Sequence, residues 1–144
     1  MLSWHIVTIF VSLTVAAAVP QGQPSLSFRT LDRGTQSGIG DARQVIIRSA
    51  TEWQGLWAEH KPTRERPTVD WGRELVIGLF VGRRSTGGFG IEILGTEARS
   101  QTLLVRYRET QPAPGGVTVQ VLTSPYHLVA VEAWAGEVAF EAVP

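Results

Sequence analysis

The sequence has no cysteine, a single lysine, and no apolar run of the about 20 residues that a membrane-spanning helix needs. The absence of cysteine excludes disulfides, thiolate catalysis, zinc ribbons and a lipid-modified N-terminal cysteine. For an exported protein it favours a bacterial source, because small eukaryotic secreted domains are often stapled by disulfides. Apart from Lys61, the cationic side chains are arginines, which are frequent anchors of protein interfaces.

The sequence also lacks an excess of charge of either sign. Lysine and arginine together number 13, as do aspartate and glutamate, so the formal net charge is zero. This balance argues against nucleic acid as a partner and against electrostatic binding to anionic membranes. Hydrophobic residues make up 43% of the chain and charged residues 18%, which is typical of a single globular domain of this length.

The first segment of the chain predicts a cleavable signal peptide, residues 1–18. The apolar run from Ile6 to Val19 has the length of a signal-peptide hydrophobic region, and small residues precede the expected cleavage after Ala18. No lysine or arginine precedes the run, which leaves an uncleaved anchor as the alternative. We therefore expect export to the periplasm or the extracellular space, with no stable membrane span after cleavage. Residues 19–43 would form an N-terminal extension with one short strand, and residues 44–144 a β-rich domain.

One helix is predicted after the second strand. Ser49 and Glu52 have capping-box spacing, and Pro62 ends the helical pattern. Between them, apolar residues repeat at helical spacing at Trp53, Leu56, Trp57 and His60. Gly55 in the interior lowers helix stability by about 1 kcal/mol relative to alanine, so packing must hold the helix in place.

The rest of the chain predicts about eight short strands. The stretch Leu75–Val81 is apolar on both faces, as expected for a central strand covered on both sides. Alternating apolar residues predict the others: Ser25–Leu31, Gln44–Arg48, Phe89–Ile93, Leu103–Tyr107, Val117–Val121, Tyr126–Glu132 and Glu137–Glu141. Because no crossover helices separate the later strands, antiparallel pairing is favoured. The predicted fold class is α+β: a mainly antiparallel sheet, either a partly closed barrel or a sandwich, with one helix packed on it.

No cluster of residues specifies a reaction, and no catalytic residue, cofactor or metal ligand is predicted. The glycine-rich stretch Thr86–Gly90 lacks the lysine of a phosphate loop and precedes a strand, so a tight turn is the better interpretation. His60 and His127 lack the spacing of metal ligands.

Two hydrolytic arrangements are less favoured alternatives. Ser124 with His127 and Asp70 supplies the groups of a triad, although no nucleophile elbow surrounds the serine. Glu92 and Glu109 supply the two carboxylates of a glycosidase. Alternating charges are more typical of a solvated sheet face, where Arg106 and Arg108 would pair with these glutamates.

Aromatic residues and the glycine-rich turn form the candidate interaction surface. Aromatic side chains are frequent interface anchors, and turns carry binding functions more readily than strands. The surface comprises Trp71, Thr86, Gly87, Gly88, Phe89, Tyr126, His127 and Trp134. A module that binds a small ligand or a glycan through Trp71 and Trp134 is an alternative function for part of the same set.

Several motifs follow one another in a specific order between Val45 and Val131. They are Val45–Ser49 leading into Glu52–Trp57, then Pro67–Trp71, Leu75–Val81, Thr86–Ile93, Arg108-Glu109 and Thr123–His127. In this order they resemble the C-terminal domain of PrcB-like proteins, the protease-complex stability family. The family pattern tends to carry phenylalanine or tyrosine at the places of Trp71 and Phe89.

The resemblance implies an extracytoplasmic protein, since the named member of the family stabilises a secreted protease complex. It implies no catalytic residues. The expected function is therefore a non-enzymatic accessory or binding domain that contacts another extracytoplasmic protein, a protease being one candidate. Contact would be made through a sheet edge or the Thr86–Phe89 turn.

Overall fold

The computed structural model describes residues 24–144, so the predicted signal peptide lies outside the described residues. The described part of the chain forms eight strands and one helix. Their bounds are β1 Ser25–Leu26, β2 Phe28–Gly34, β3 Arg43–Ile47, α1 Ala50–His60, β4 Glu74–Phe80, β5 Gly90–Arg99, β6 Thr102–Thr110, β7 Tyr126–Glu132 and β8 Glu137–Ala142. Within residues 24–144, no helix has the length and apolar character needed to cross a membrane.

The strands form two four-stranded sheets. The helix-side sheet has the order β2-β7-β4-β3, and the outer sheet has the order β1-β5-β6-β8. Every pair is antiparallel except β6 with β8, which run parallel. The sheets pack face to face without closing into a barrel, and α1 covers the other face of the helix-side sheet. The predicted α+β class, with mainly antiparallel sheets and one packed helix, is confirmed.

Strand β4 is central because both of its faces are apolar. Val76 and Phe80 pack toward α1, whereas Leu75, Ile77 and Leu79 pack toward the outer sheet. Fully burying one such side chain contributes about 1.5–3 kcal/mol. Strand β4 therefore belongs to two hydrophobic cores, as its doubly apolar pattern predicts.

Helix α1 begins and packs as its sequence predicts. Ser49 is the N-cap, and its hydroxyl accepts a hydrogen bond from the N–H of Glu52 at 3.3 Å. The predicted stripe is buried against the helix-side sheet. The indole N–H of Trp53 donates to Pro67 O at 3.0 Å, and that of Trp57 donates to Arg64 O at 2.8 Å. The two tryptophans therefore also fix the connection that follows the helix.

Three details of the strand prediction are wrong. No regular strand forms at Val117–Val121, although its alternation is typical of one. Strand β2 continues to Gly34, three residues beyond the predicted end at Leu31. Strand β8 pairs in parallel with β6, whereas the absence of crossover helices predicts antiparallel pairing of the later strands. Alternation reports which side chains share a face, and pairing depends on tertiary contacts that it does not contain.

Two connections cross between the sheets at the same end of the sandwich. Residues 81–89 lead from β4 to β5, and residues 111–125 lead from β6 to β7. Phe80 is paired with Tyr126, and Gly90 with Thr110, so both connections leave the sheets side by side. We call this the crossover end of the sandwich, and the end near Glu74 the opposite end.

Candidate functional site

The two connections at the crossover end form an irregular antiparallel ribbon. Arg84 and Thr123 exchange backbone hydrogen bonds of 2.7 and 2.9 Å, and the N–H of Gly87 donates to Val119 O at 2.9 Å. Between these two pairs of bonded residues, the chain advances three residues from Arg84 to Gly87 but four residues from Val119 to Thr123. The extra residue on one side is the mark of a β-bulge. The N–H of Val121 bonds to Val119 O at 3.0 Å, which closes a γ-turn centred on Gln120. The bulge explains why the alternating sequence does not become a regular strand.

The outer side of this ribbon is apolar and exposed. Four of the five exposed large hydrophobic residues among residues 24–144 lie in it: Val117 at 103%, Val119 at 71%, Leu122 at 61% and Val121 at 44%. Contiguous exposed apolar patches on soluble proteins mark interaction sites more often than isolated exposed residues do. We define residues 83–89 and 117–122 as the crossover surface.

The turn of the crossover surface is shaped by glycine and carries positive charge. Gly88 has φ +90°, a left-handed conformation that glycine adopts without strain. The guanidinium of Arg84 lies 5.4 Å from the centre of the Phe89 ring, a cation–π contact. In the described part of the chain, neither Arg83 nor Arg84 forms an ion pair with a carboxylate.

Two residues of the predicted interaction surface lie inside the protein. Tyr126 is 1% exposed in the core under α1, and His127 is 2% exposed between the sheets. Successive residues of a strand point to opposite faces, and both faces of β7 are covered. Tyr126 and His127 are therefore not available to a partner, and their inclusion in the predicted interaction surface is wrong.

His127 connects the two sheets. Its Nδ1 accepts a hydrogen bond from the N–H of Ile93 at 2.8 Å, and its Nε2 lies 2.9 Å from the Thr30 hydroxyl. Strand β1 is paired with β5 only at Thr96 and Glu97, so Ile93 needs another acceptor. Burial, with the nearby charge of Arg33, lowers the pKa of His127 to about 4. The ring is therefore neutral at pH 7. Its proton is on Nε2, which donates a hydrogen bond to the hydroxyl oxygen of Thr30.

A β-bulge in β2 builds a second polar group, beneath α1. The register against β7 shifts between Thr30 and Asp32, so Asp32 faces the helix. Its carboxylate lies 3.0 Å from His60 Nε2 and 2.9 Å from the ammonium of Lys61. Lys61 also donates to the hydroxyl of Tyr126. We call these four residues, with Ser37, the helix-anchor cluster.

The hydrogen bonds fix the proton positions in the helix-anchor cluster. Burial lowers the pKa of His60 despite the attraction of Asp32, so the ring is neutral at pH 7. Nε2 then donates to Asp32, and Nδ1 accepts from the Ser37 hydroxyl at 2.7 Å. That hydroxyl in turn accepts from the N–H of Ile39 at 3.0 Å. Burial alone would raise the pKa of Asp32, but hydrogen bonds from Lys61, His60 and Tyr126 lower it.

Trp71 and Trp134 do not form one binding platform. Both lie near the opposite end of the sandwich, since the N–H of Ala133 bonds to Arg73 O there. Trp71 packs on the core under α1 and lines a pocket of about 190 Å³. Trp134 packs on the core between the sheets and lines a separate pocket of about 430 Å³. The predicted surface is therefore divided, with only Thr86–Phe89 at the crossover end.

The two predicted hydrolytic arrangements are not assembled. Both ring nitrogens of His127 are occupied by Ile93 and Thr30, and Asp70 lies at the opposite end from Ser124. In the antiparallel pair of β5 and β6, Glu92 lies opposite Arg108.

The predicted carboxylate pair fails for a related reason. Glu109 lies opposite Ile91, the neighbour of Glu92, so the two carboxylates lie on opposite faces of the outer sheet. Glu92 forms an ion pair with Arg33 at 3.1 Å, and Arg106 forms ion pairs with Glu97 and Glu141. In the described part of the chain the predicted ion pairs with Arg106 and Arg108 are therefore not formed, although Arg108 lies opposite Glu92. Among residues 24–144, no group of three or more histidine and carboxylate side chains is placed to hold a metal ion.

Sequence reasoning missed two features of the site. The alternating sequence of residues 117–122 predicts an ordinary half-buried strand. Its exposure was missed because it depends on the crossover of the chain between the sheets. The helix-anchor cluster was missed because it joins residues far apart in sequence, and the β-bulge in β2 that brings them together has no sequence signal. A signal for it was the unusual presence of His60 within an otherwise apolar helical stripe.

Comparison with family models gives a match over part of the chain. Residues 75–132 match the family model of the PrcB C-terminal domain, which confirms the resemblance for this segment. The match spans β4 to β7, and therefore both stretches of the crossover surface, but not α1. No curated protein and no solved structure matches the chain.

Proposed function

We propose that this protein is a non-enzymatic accessory domain that binds and stabilises another protein outside the cytoplasm, a role that the match of residues 75–132 to the family model of the PrcB C-terminal domain supports. A protease is one candidate for that partner, given the family. The observation that carries the proposal is the crossover surface, where Val117, Val119, Val121 and Leu122 are exposed together.

The energetics favour a covered crossover surface. A valine or leucine side chain contributes about 1.5–3 kcal/mol when it is fully removed from water. Four such side chains exposed within six residues of a ribbon edge are an aggregation hazard in a lone domain. A partner that covers them gains this free energy and removes the hazard. The same contact would hold the bound segment of the partner in one conformation and so protect it from unfolding and proteolysis.

The location of His60 and His127, the two histidines of residues 24–144, supports a role without catalysis. His127 holds the two sheets together, and His60 fixes the end of α1, so each ring is committed to the fold. Export is supported by the apolar run Ile6–Val19 and the small residues before the expected cleavage site. The mature protein should then begin at Val19, which mass spectrometry of the N-terminal peptide from the extracytoplasmic fraction would measure.

The test is capture of the partner in the native host. The tagged protein is cross-linked in the extracytoplasmic fraction, and the captured protein is identified and its half-life measured with and without this gene. We expect one stoichiometric partner that decays faster when the gene is deleted. Val119→Asp should abolish capture, whereas Leu94→Asp, at an exposed apolar residue on β5, should not. A partner half-life that is unchanged by the deletion would refute the stabilising role.

A second candidate function is hydrolysis by the helix-anchor cluster. Ser37, His60 and Asp32 stand in the order of groups that serine hydrolases use, at 2.7 and 3.0 Å. Against this function, Lys61 neutralises Asp32, and the side chain of His60 is fully buried. Labelling with a fluorophosphonate decides between the functions. Labelling that disappears in Ser37→Ala would favour hydrolysis, and no labelling of the folded protein favours the accessory role.

A further inference from the structure

Building on the proposed function, we propose that the partner binds the crossover surface as an extended, acidic segment. This segment lies along residues 117–121 and adds a strand to the ribbon that they form with residues 84–87. Its apolar side chains cover the exposed valines, and its carboxylates pair with Arg83 and Arg84. The proposal deepens the proposed function, since it states which kind of partner the surface accepts.

The backbone of the ribbon has an open outer edge before Leu122, whose O already accepts a hydrogen bond from the side-chain amide of Gln36 at 3.1 Å. Val119 O faces the turn, where it accepts the hydrogen bond from Gly87. In the described part of the chain, the peptide groups of Val117, Thr118 and Gln120 form no hydrogen bond. An incoming strand would supply partners for them, as in β-strand addition to an exposed edge.

The side chains specify an apolar, strand-forming occupant. Val117, Val119 and Val121 are β-branched and alternate along the edge, and Leu122 follows them. β-Branched and aromatic residues pair well across strands, each pair contributing roughly 0.2–1 kcal/mol. The bound segment should therefore carry such residues at alternate positions.

The charge of the surface selects an acidic segment. Residues 83–89 and 111–124 contain two arginines and no aspartate or glutamate, although the whole chain has no net charge. Arg84 is positioned against the Phe89 ring, and the guanidinium of Arg83 lies beside Gly40. A second copy of this chain would bring the same two arginines to the interface. The charge therefore favours a different, acidic partner over self-association.

The test uses the full mature protein and short synthetic peptides. The first peptide alternates valine and threonine with aspartate and glutamate. A second has lysine at every acidic position, and a third is the acidic peptide with alternate backbone nitrogens methylated. Fluorescence anisotropy measures the affinity of each. We expect the acidic peptide to bind at least about tenfold more tightly than either of the others. Equal binding of the lysine peptide, or no binding of the acidic one, would overturn the proposal.

Variants of the protein locate the binding. Gln120→Pro removes an N–H that has no hydrogen bond, and the centre of a γ-turn with negative φ accepts proline. It should unfold at the same denaturant concentration as the wild type and bind the acidic peptide about tenfold more weakly. Arg83→Gln with Arg84→Gln should weaken binding similarly, whereas Arg73→Gln, exposed at the opposite end, should not change it.

Two further outcomes separate this inference from the proposed function. If Gln120→Pro and the double arginine variant still capture and stabilise the native partner as the wild type does, the strand inference is overturned and the accessory function stands. If light scattering shows a dimer of the wild type that Gln120→Pro dissociates, a second copy occupies the edge and the acidic segment is overturned. If no partner is captured in the host, the proposed function is overturned. The peptide assay still decides the strand inference, because it does not require the native partner.

Discussion

The carbonyl of Val119 accepts a hydrogen bond from the N–H of Gly87 at 2.9 Å, across the two connections that join the sheets. This bond ties the exposed apolar stretch to the glycine-rich turn. The peptide groups of the neighbouring Thr118 form no hydrogen bond with the described residues. One side of the stretch is thereby fixed on the domain, and the other is free. The crossover surface is the consequence of this arrangement.

The turn depends on Gly88 and not on Gly87. Gly88 has φ +90°, and a Cβ there would lie 3.1 Å from Pro112 Cβ, whereas a Cβ on Gly87 would lie at an ordinary 3.7 Å from Val119. We expect Gly88→Ala to lower the free energy of unfolding by about 1–2 kcal/mol, the cost of a left-handed alanine. Gly87→Ala should change it by less than about 0.5 kcal/mol. Urea unfolding followed by tryptophan fluorescence measures both, and equal effects would contradict this account of the turn.

Asp32 holds the end of α1 on the sheet. In Asp32→Asn the ammonium of Lys61 loses its only carboxylate among the described residues, while His60 keeps a weaker acceptor. We expect the free energy of unfolding to fall by about 2–3 kcal/mol, less than for a fully buried ion pair because both side chains keep some exposure. Glu141→Gln, which removes an exposed partner of Arg106, is the control and should cost less than about 1 kcal/mol. Equal costs in urea unfolding would argue against the anchoring role.

Stability should decrease in mild acid because of His127. Its pKa is about 4 in the folded protein, below the ordinary 6.5, so the unfolded chain binds a proton more readily. The contribution is complete above pH 6.5 and is lost as the pH falls toward 4. The loss approaches roughly 3 kcal/mol at the lower limit. Burial also lowers the pKa of His60, which adds to the loss in the same direction.

The control for this pH dependence is His127→Asn. Asparagine retains an acceptor for the N–H of Ile93 but does not titrate. The variant should be less stable at pH 7.5 and should show a shallower decline between pH 6.5 and 4.5, a range above the pKa values of Asp32 and Glu74. Urea unfolding at a series of pH values measures the two slopes. Parallel slopes would mean that His127 does not titrate as described.

At position 55, in helix α1, alanine should be more stabilising than the glycine that is present. A Cβ added there meets no atom within 4 Å, and the residue lies in the interior of α1. We expect Gly55→Ala to raise the free energy of unfolding by about 1 kcal/mol, the difference in helix propensity. Gly78→Ala is the opposite case, because its Cβ would lie 2.6 Å from Leu128 and 2.7 Å from Val45. It should lower the free energy of unfolding by about 1–3 kcal/mol. A destabilising Gly55→Ala would contradict the exposure of that helix face.

Much of the local structure follows from the sequence because its causes are local. The capping pair Ser49 and Glu52, the buried stripe of α1 and the doubly apolar β4 were each predictable from spacing alone. The two-layer sandwich was predictable only as a class, because the parallel pairing of β8 with β6 depends on the path of the chain between sheets.

The site was less predictable because its features are tertiary. Val117–Val121 has the alternation of a strand, and only the bulge at Gln120 and the crossover leave it exposed. Tyr126 and His127 look available in sequence, yet β7 is covered on both faces. Asp32 meets His60 only because a bulge in β2 turns it toward α1. By contrast, the position of Thr86–Phe89 in a turn at the end of the sheets was predictable, because its glycines favour a turn for local reasons.

The most direct measurement places a photoreactive benzoylphenylalanine at position 119 and, separately, at position 101, in the protein produced by its own host. Val119 is exposed on the crossover surface, and Gln101 is exposed in the turn between β5 and β6. Irradiation of the extracytoplasmic fraction should link a single partner to position 119 and none to position 101. A partner that is linked from position 101 and not from position 119 would contradict the account, because binding would then occur away from the crossover surface.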